Sequence, residues 1–174
     1  MADYLSTIAE ALSRDGALLK WVSLPHEKLT DSQLVDLVNC LLAHPNAAMF
    51  VNLHINKLTD ETGIKLARYL TDSSIVESMD LSYNHFGEAT YLVLAAALRV
   101  NSSLQWLYLY NNEEVDRTRV DATFVEALRL NPVRPTGSFW CLYTATSEFG
   151  RLKCAADALG PPSMLSQLRH RDRT

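Results

Sequence analysis

The sequence predicts an α/β fold: a curved, right-handed β-α solenoid of about five repeats, with parallel strands on its concave face, helices on its convex face and a helical cap at each end. Three observations predict it. Apolar residues recur in one register from starts at 19, 48, 76 and 104, in steps of 29, 28 and 28 residues. Within each step the apolar period changes from two, which puts alternate residues on one face of a strand, to the three-to-four spacing of a helix. An asparagine stands at one fixed place in three of the copies, Asn56, Asn84 and Asn112.

The first element, Asp3 to Arg14, carries Leu5, Ile8, Ala9 and Leu12 on one helical face. It reads as a cap over residues 1–16, because the open end of a stacked array would expose core. The repeats then occupy 17–160. In the copy from Ala48, Val51, Leu53, Asn56 and Leu58 fall at fixed steps. The copy from Val76 supplies Met79, Leu81, Asn84 and Phe86, and that from Leu104 supplies Leu107, Leu109 and Asn112. The first copy, from Leu19, has Val22, Leu24 and Leu29 but Glu27 in place of the asparagine, as suits a terminal unit with one neighbour. Each strand is followed by a helical run: Leu34-Leu37-Leu41, Ile64-Ala67-Leu70 and Leu92-Ala96-Leu98, with Asp31 and Asp60 as candidate caps.

A fifth, degraded copy is expected from Phe139, through Leu142, Thr144, Ser147 and Phe149, with a helix over Leu152 to Leu159. Its start is 35 residues after the fourth, so seven residues are extra. They fall in the charged loop 113–119 and the Pro-containing loop 131–137, where insertion costs few buried contacts. Residues 161–174 form a C-terminal cap and a basic tail ending Arg169-His170-Arg171-Asp172-Arg173.

These units follow the template L-x-x-L-x-L-x-x-N-x-L and resemble the leucine-rich repeat family, in its 28-residue, ribonuclease-inhibitor-like class. The resemblance extends to the Ran GTPase-activating protein, the repeat domains of innate immune receptors and the C-terminal repeat domain of tropomodulin. It implies that Asn56, Asn84 and Asn112 form a structural ladder, their side chains satisfying backbone groups of neighbouring turns. It transfers no binding residue.

Composition narrows the function. The formal net charge is −4, which argues against nucleic acid as the main partner, since such binding needs basic surface. Residues 1–130 carry 10 Lys/Arg and 17 Asp/Glu, and 131–174 carry 6 and 3, so the basic excess sits at the C-terminal end. Three scattered cysteines make no disulfide framework, and no apolar run is long enough to span a bilayer. A cytoplasmic home, with cytoskeletal association as an extension of the tropomodulin resemblance, is the expectation.

No Gly-rich phosphate loop and no Cys/His set at zinc spacing is present, so neither cofactor, metal nor small-molecule substrate is expected. His26 and His54 fall near each other on adjacent strands but lack a third ligand. Glu77 and Asp80 read as a solvated acidic spot. Cys141 falls on an exposed strand position without a base beside it; Cys40 and Cys154 read as helix-packing residues.

The surface is more informative. Strand positions that the repeat does not bury receive Trp21, Phe50, His54, Tyr83, Trp106, Tyr108, Tyr110, Trp140 and Tyr143, including every tryptophan of the chain. Exposed Trp and Tyr are the residue types that dominate interface energetics. The expected function is therefore a non-catalytic protein–protein interaction module that binds a partner on its aromatic concave face. The specific alternatives are an actin-binding or ciliary protein of tropomodulin type, and an enzyme regulator such as a GTPase activator using Arg117, Arg119 or Arg134.

Overall fold

The computed structural model describes residues 2–12, 19–131, 140–142 and 151–153. Five helices and six strands alternate along it: α1 (Ala2–Leu12), β1 (Leu19–Ser23), α2 (Asp31–Ala43), β2 (Ala48–Asn52), α3 (Asp60–Asp72), β3 (Ser78–Asp80), α4 (Glu88–Leu98), β4 (Trp106–Tyr108), α5 (Arg117–Leu130), β5 (Trp140–Leu142) and β6 (Arg151–Lys153). The strands form one sheet in chain order, parallel from β1 to β5. Val22, Val51, Met79 and Leu107 pair in one row across it, so strand registry follows the sequence period residue for residue. Each helix packs on the next, from α1 to α5, and together they cover one face of the sheet.

The core lies between those two layers. Val22, Leu24, Val51, Leu53, Met79, Leu81, Leu107 and Leu109 point from the strands to Leu34, Leu37, Leu41, Leu66, Leu70, Leu94, Leu98 and Phe124 on the helices, all buried. Burying each such side chain is worth about 1.5–3 kcal/mol, which makes this layer the main stabilising term. Two helical positions differ from the periodicity reading. Ile64 is 48% exposed and Ala96 is also at the surface; Thr62, Gly63, Leu66 and Tyr69 face inward on α3, and Tyr91, Leu94, Ala95 and Leu98 on α4. Both inward faces carry a buried tyrosine that reaches across to a backbone carbonyl in or just after a strand. The Tyr69 hydroxyl donates to Ala48 O at 3.0 Å and that of Tyr91 to Leu109 O at 3.0 Å.

The helix starts are wired to each other. Thr30 caps α2 through a capping box with Gln33, whose Oε1 accepts from Thr30 N at 3.0 Å. Asp31 serves the next helix instead of its own. Its carboxylate accepts from the Thr59 hydroxyl at 2.8 Å, Thr59 N at 3.1 Å and Thr62 N at 3.3 Å, all at the start of α3. Asp60 does the same for α4, accepting from Gly87 N at 2.8 Å, Thr90 N at 3.2 Å and the Thr90 hydroxyl. A carboxylate at a helix N-terminus meets unpaired N–H groups and the positive end of the dipole. Burial works to raise the Asp31 carboxyl, but hydrogen bonds from Thr62 and Thr59 outweigh it and hold the group below its ordinary value.

The C-terminal end departs from the repeat pattern. β5 pairs with β4 so that Trp140 takes the register of Trp106, Cys141 that of Leu107 and Leu142 that of Tyr108. The pairing is therefore shifted by one residue from the expected start at Phe139, and Cys141 takes the register of Leu107. The run Trp-Cys-Leu-Tyr has no apolar alternation, so the pattern alone does not set register there. Residues 151–153 form β6, antiparallel to β5, in place of the helix that the sequence pattern predicts from Leu152. Only residues 143–150 separate the two strands, too few for the crossover a parallel pair requires. Tyr143, Ser147, Phe149, Cys154, loop residues 132–137 and the 161–174 segment lie outside the described residues.

Gly63 marks a close approach between α3 and α4. A Cβ there would overlap the Thr90 side chain, which the Asp60 carboxylate holds in place. Intrinsic helix propensity favours Ala over Gly by about 1 kcal/mol, whereas overpacking costs about 1–3 kcal/mol. Gly63→Ala is thus expected to lower the unfolding free energy by up to about 2 kcal/mol in urea titration. Combined with Thr90→Ala, it should cost less than the two single changes added together. A stabilising Gly63→Ala would show that α3 and α4 have room between them.

Candidate interaction surface

With one face of the sheet under helices, alternate strand residues stand on the open face. β1 to β4 each end in a sharp turn, and the residue before the ladder position adopts left-handed backbone: His26 (φ 63°), Ile55 (φ 53°), Tyr83 (φ 54°) and Asn111 (φ 52°). For a β-branched residue such as Ile55 this conformation is strained by about 1–2 kcal/mol. The turns line up because the N–H of Ile55 donates to Ser82 O and that of Tyr83 to Tyr110 O.

The open-face aromatics form two groups. Trp21 and Phe50, paired across β1 and β2, stack with centroids 4.1 Å apart and planes at 16°, and Trp21 remains 56% exposed. In the next row member, Ser78 breaks the aromatic line before Trp106. Beyond it Trp106 stacks on Tyr108 at 6.4 Å and 8°, with Trp140 in register on β5. Nearer the turns runs a chain of edge-to-face rings: His26 to His54 at 5.5 Å, His54 to Tyr83 at 5.1 Å and Tyr83 to Tyr110 at 5.4 Å. The structure thus brings together Tyr83, Tyr108, Tyr110, Trp106 and His54 and sets the Trp21–Phe50 stack apart from them. His26 and His54 do meet, and among the described residues no group of three or more His, Cys, Asp or Glu could hold a metal ion.

Asp80 stands at the centre of the ring cluster, and it is not the solvated acid its strand position suggests. Its side chain is 23% exposed, and it pairs in register with Asn52 on one side and Tyr108 on the other. Burial pushes its carboxyl above the ordinary value, while the hydrogen bond from the Ser82 N–H and the nearby Ser82 hydroxyl and His54 oppose the rise only in part. His54 Nδ1 lies 3.8 Å away, beyond hydrogen-bond distance. Burial, with the Asp80 charge added to it, raises the Tyr108 phenol and pushes that of Tyr110 up to about 12. No sequence pattern singles Asp80 out; its signal is the aromatic residues at matching positions one repeat later.

The lengthened loops offer less. Arg119 is engaged with Glu88 at 2.6 Å, tying the start of α5 to that of α4. The side chain of Arg117 and the whole of Arg134 lie outside the described residues.

No protein-family model matches the chain, and no curated protein matches it in sequence. Among solved structures it is similar to "Leiomodin-1 Actin-Binding Site 2 (ABS2)", with a TM-score of 0.65 and 16% identity over 83% of this chain and 79% of that one. At that identity the likeness is one of fold, and the chain shares a leucine-rich-repeat-like α/β architecture with that domain. No helix among the described residues is long and apolar enough to cross a membrane.

Asn52 and Asp80 allow a direct test of the site's electrostatics. Both side-chain Oδ1 atoms accept from the N–H two residues on, His54 N and Ser82 N, each at 3.0 Å. A neutral amide therefore performs the turn-forming task as well as a carboxylate. Because the folded-state value of Asp80 is raised, the fold binds that proton more tightly than the unfolded chain does. The charge penalty is absent below the unfolded value near 3.8 and fully present once pH exceeds the raised value. Asp80→Asn should accordingly raise the melting temperature at pH 7, with a gain that shrinks toward pH 4. A lower melting temperature at pH 7 would show that the charge stabilises the fold.

Proposed function

We propose that this chain is a non-catalytic protein-interaction module: a short curved leucine-rich repeat solenoid of the 28-residue, ribonuclease-inhibitor-like class, about five repeats with helical caps, that grips a partner protein on its aromatic concave face. The observation that carries this reading is the set of large aromatic side chains on the helix-free face. Trp21 is 56% exposed and Tyr83 44% exposed, and neither serves the core. Trp and Tyr supply much contact area at low entropic cost, and such residues commonly cost about 2 kcal/mol or more each when truncated at an interface.

Actin is the first partner to test, because the leiomodin-1 domain that shares this fold is an actin-binding site. A cytoplasmic location with cytoskeletal association follows from that choice. Regulation of a GTPase by an exposed arginine is less well supported, since Arg119 is held by Glu88.

Filamentous actin pelleting and native-gel shifts with monomeric actin test the cytoskeletal partner. The full chain should bind one form, and Trp106→Ala/Tyr108→Ala should weaken binding at least about tenfold. Trp21→Ala/Phe50→Ala tests the second aromatic group in the same assay. If actin does not bind, affinity capture compared across the same two variants tests the face itself. Partners retained equally by the parent chain and both double variants would overturn the aromatic-face reading.

A further inference from the structure

The ring cluster around Asp80 has a feature that fold and contact area leave unexplained. Asn52 and Asp80 occupy the same place in successive repeats, are paired in register and make the same 3.0 Å bond to the N–H two residues on. The turn needs only the side-chain oxygen, which Asn52 supplies without charge. A carboxylate at Asp80 therefore adds a partly desolvated charge that the structure does not require. Desolvating a carboxylate without a cation is unfavourable. Among the described residues no lysine or arginine pairs with it, and the nearest basic group, His54 Nδ1, stands 3.8 Å away with no hydrogen-bond partner of its own.

The walls around this charge are aromatic. Tyr108 is its register neighbour on β4, and Tyr83 and Tyr110 meet edge to face at 86°. Both phenols, Tyr108 and Tyr110, feel the Asp80 charge. A carboxylate beside tyrosine rings suits a guanidinium, which forks two N–H groups onto the carboxylate while its planar apolar faces can pack against a ring. An ammonium would meet the charge as a point and leave the ring faces uncovered.

We propose that Asp80, with Tyr83, Tyr108 and Tyr110, is the receptor for an arginine side chain of the partner protein. This inference rests on the open face being the binding surface. The arginine supplies a full cation, and the cost of keeping Asp80 charged in the free protein is the source of specificity: a neutral side chain in its place leaves the half-buried carboxylate without a strong cationic partner.

The probe is Nα-acetyl-arginine amide, titrated into the full chain and followed by amide chemical shifts. Saturable shifts centred on Ser82, Tyr83 and Tyr108 are expected, with the neutral isostere Nα-acetyl-citrulline amide producing none. Asp80→Asn should weaken the arginine at least about tenfold while keeping a melting temperature no lower than the parent's. Trp21→Ala/Phe50→Ala, on the other aromatic group, should retain it. No saturable shift in the parent, or an undiminished response in a folded Asp80→Asn, would overturn the proposal. Equal binding of Nα-acetyl-lysine amide would overturn its guanidinium preference. An absent arginine response alongside partner capture that depends on Trp106 and Tyr108 would sink this inference alone. Capture indifferent to those residues would sink the interaction reading itself.

Discussion

The strands β1 to β4 each end in a turn whose inward-facing backbone groups lie away from water, and asparagine side chains at the turns supply the partners those groups lack. Asn84 Oδ1 accepts from Leu58 N at 3.1 Å, and its Nδ2 donates to Leu53 O, Leu81 O and Ser82 O at 3.0–3.2 Å. Asn56 reaches back in the same way to Leu24 O and Leu29 N, and Asn112 to Leu81 O and Phe86 N. Each amide thus joins its own turn to the one before it. An unsatisfied buried group costs about 1–3 kcal/mol, so one side chain that satisfies several outweighs any single surface ion pair here. A second set closes the other end of the strands: Asn101 Nδ2 donates to Leu70 O and Ser73 O, and Asn131 Nδ2 to Leu98 O and Asn101 O.

This double latch links stability to the exposed surface. Strands of three to five residues are too short to hold registry alone, but the turn amides set each of β1 to β4 against its neighbour, and Asn101 and Asn131 add a second tie in the later repeats. Side chains one repeat apart then stack in rows, which is why Trp21 meets Phe50 and Asp80 meets Tyr108. The latch also imposes the left-handed residue just before it. At Ile55 and Tyr83 that strain is carried by residues whose side chains stand at the rim of the open face. Strain held by surrounding structure commonly accompanies functional surfaces, and a glycine at those places would relax the backbone and remove the side chain.

Much of this is legible in the sequence because the period is strict. Steps of 29, 28 and 28 residues set which residues share a row, so the strand residues and the asparagine positions follow from spacing. The helix faces are less legible. Ile64 looks like core by type, but the inward faces are those that carry Tyr69 and Tyr91, whose hydroxyls make long-range bonds to Ala48 O and Leu109 O that local periodicity does not carry. Asp31 and Asp60 look like caps of their own helices, and their true acceptor role lies one repeat on. The sequence pattern sets register at β5 off by one because Trp140-Cys141-Leu142-Tyr143 has no alternation, and it misses β6 because nothing in Arg151-Leu152-Lys153 separates a strand from a helix start. The Asp80 site escapes the pattern for a related reason: the tyrosines that feel its charge, Tyr108 and Tyr110, lie one repeat later in the sequence.

The dependence on the amide ladder is tested most directly by Asn84→Ala, followed by urea unfolding and backbone hydrogen exchange. Loss of the shared acceptors and donors predicts a fall in unfolding free energy of about 3 kcal/mol or more, with faster exchange at Leu58 and across both β2 and β3. A fall below about 1 kcal/mol, with protection of Leu58 and of the neighbouring strands unchanged, would contradict it.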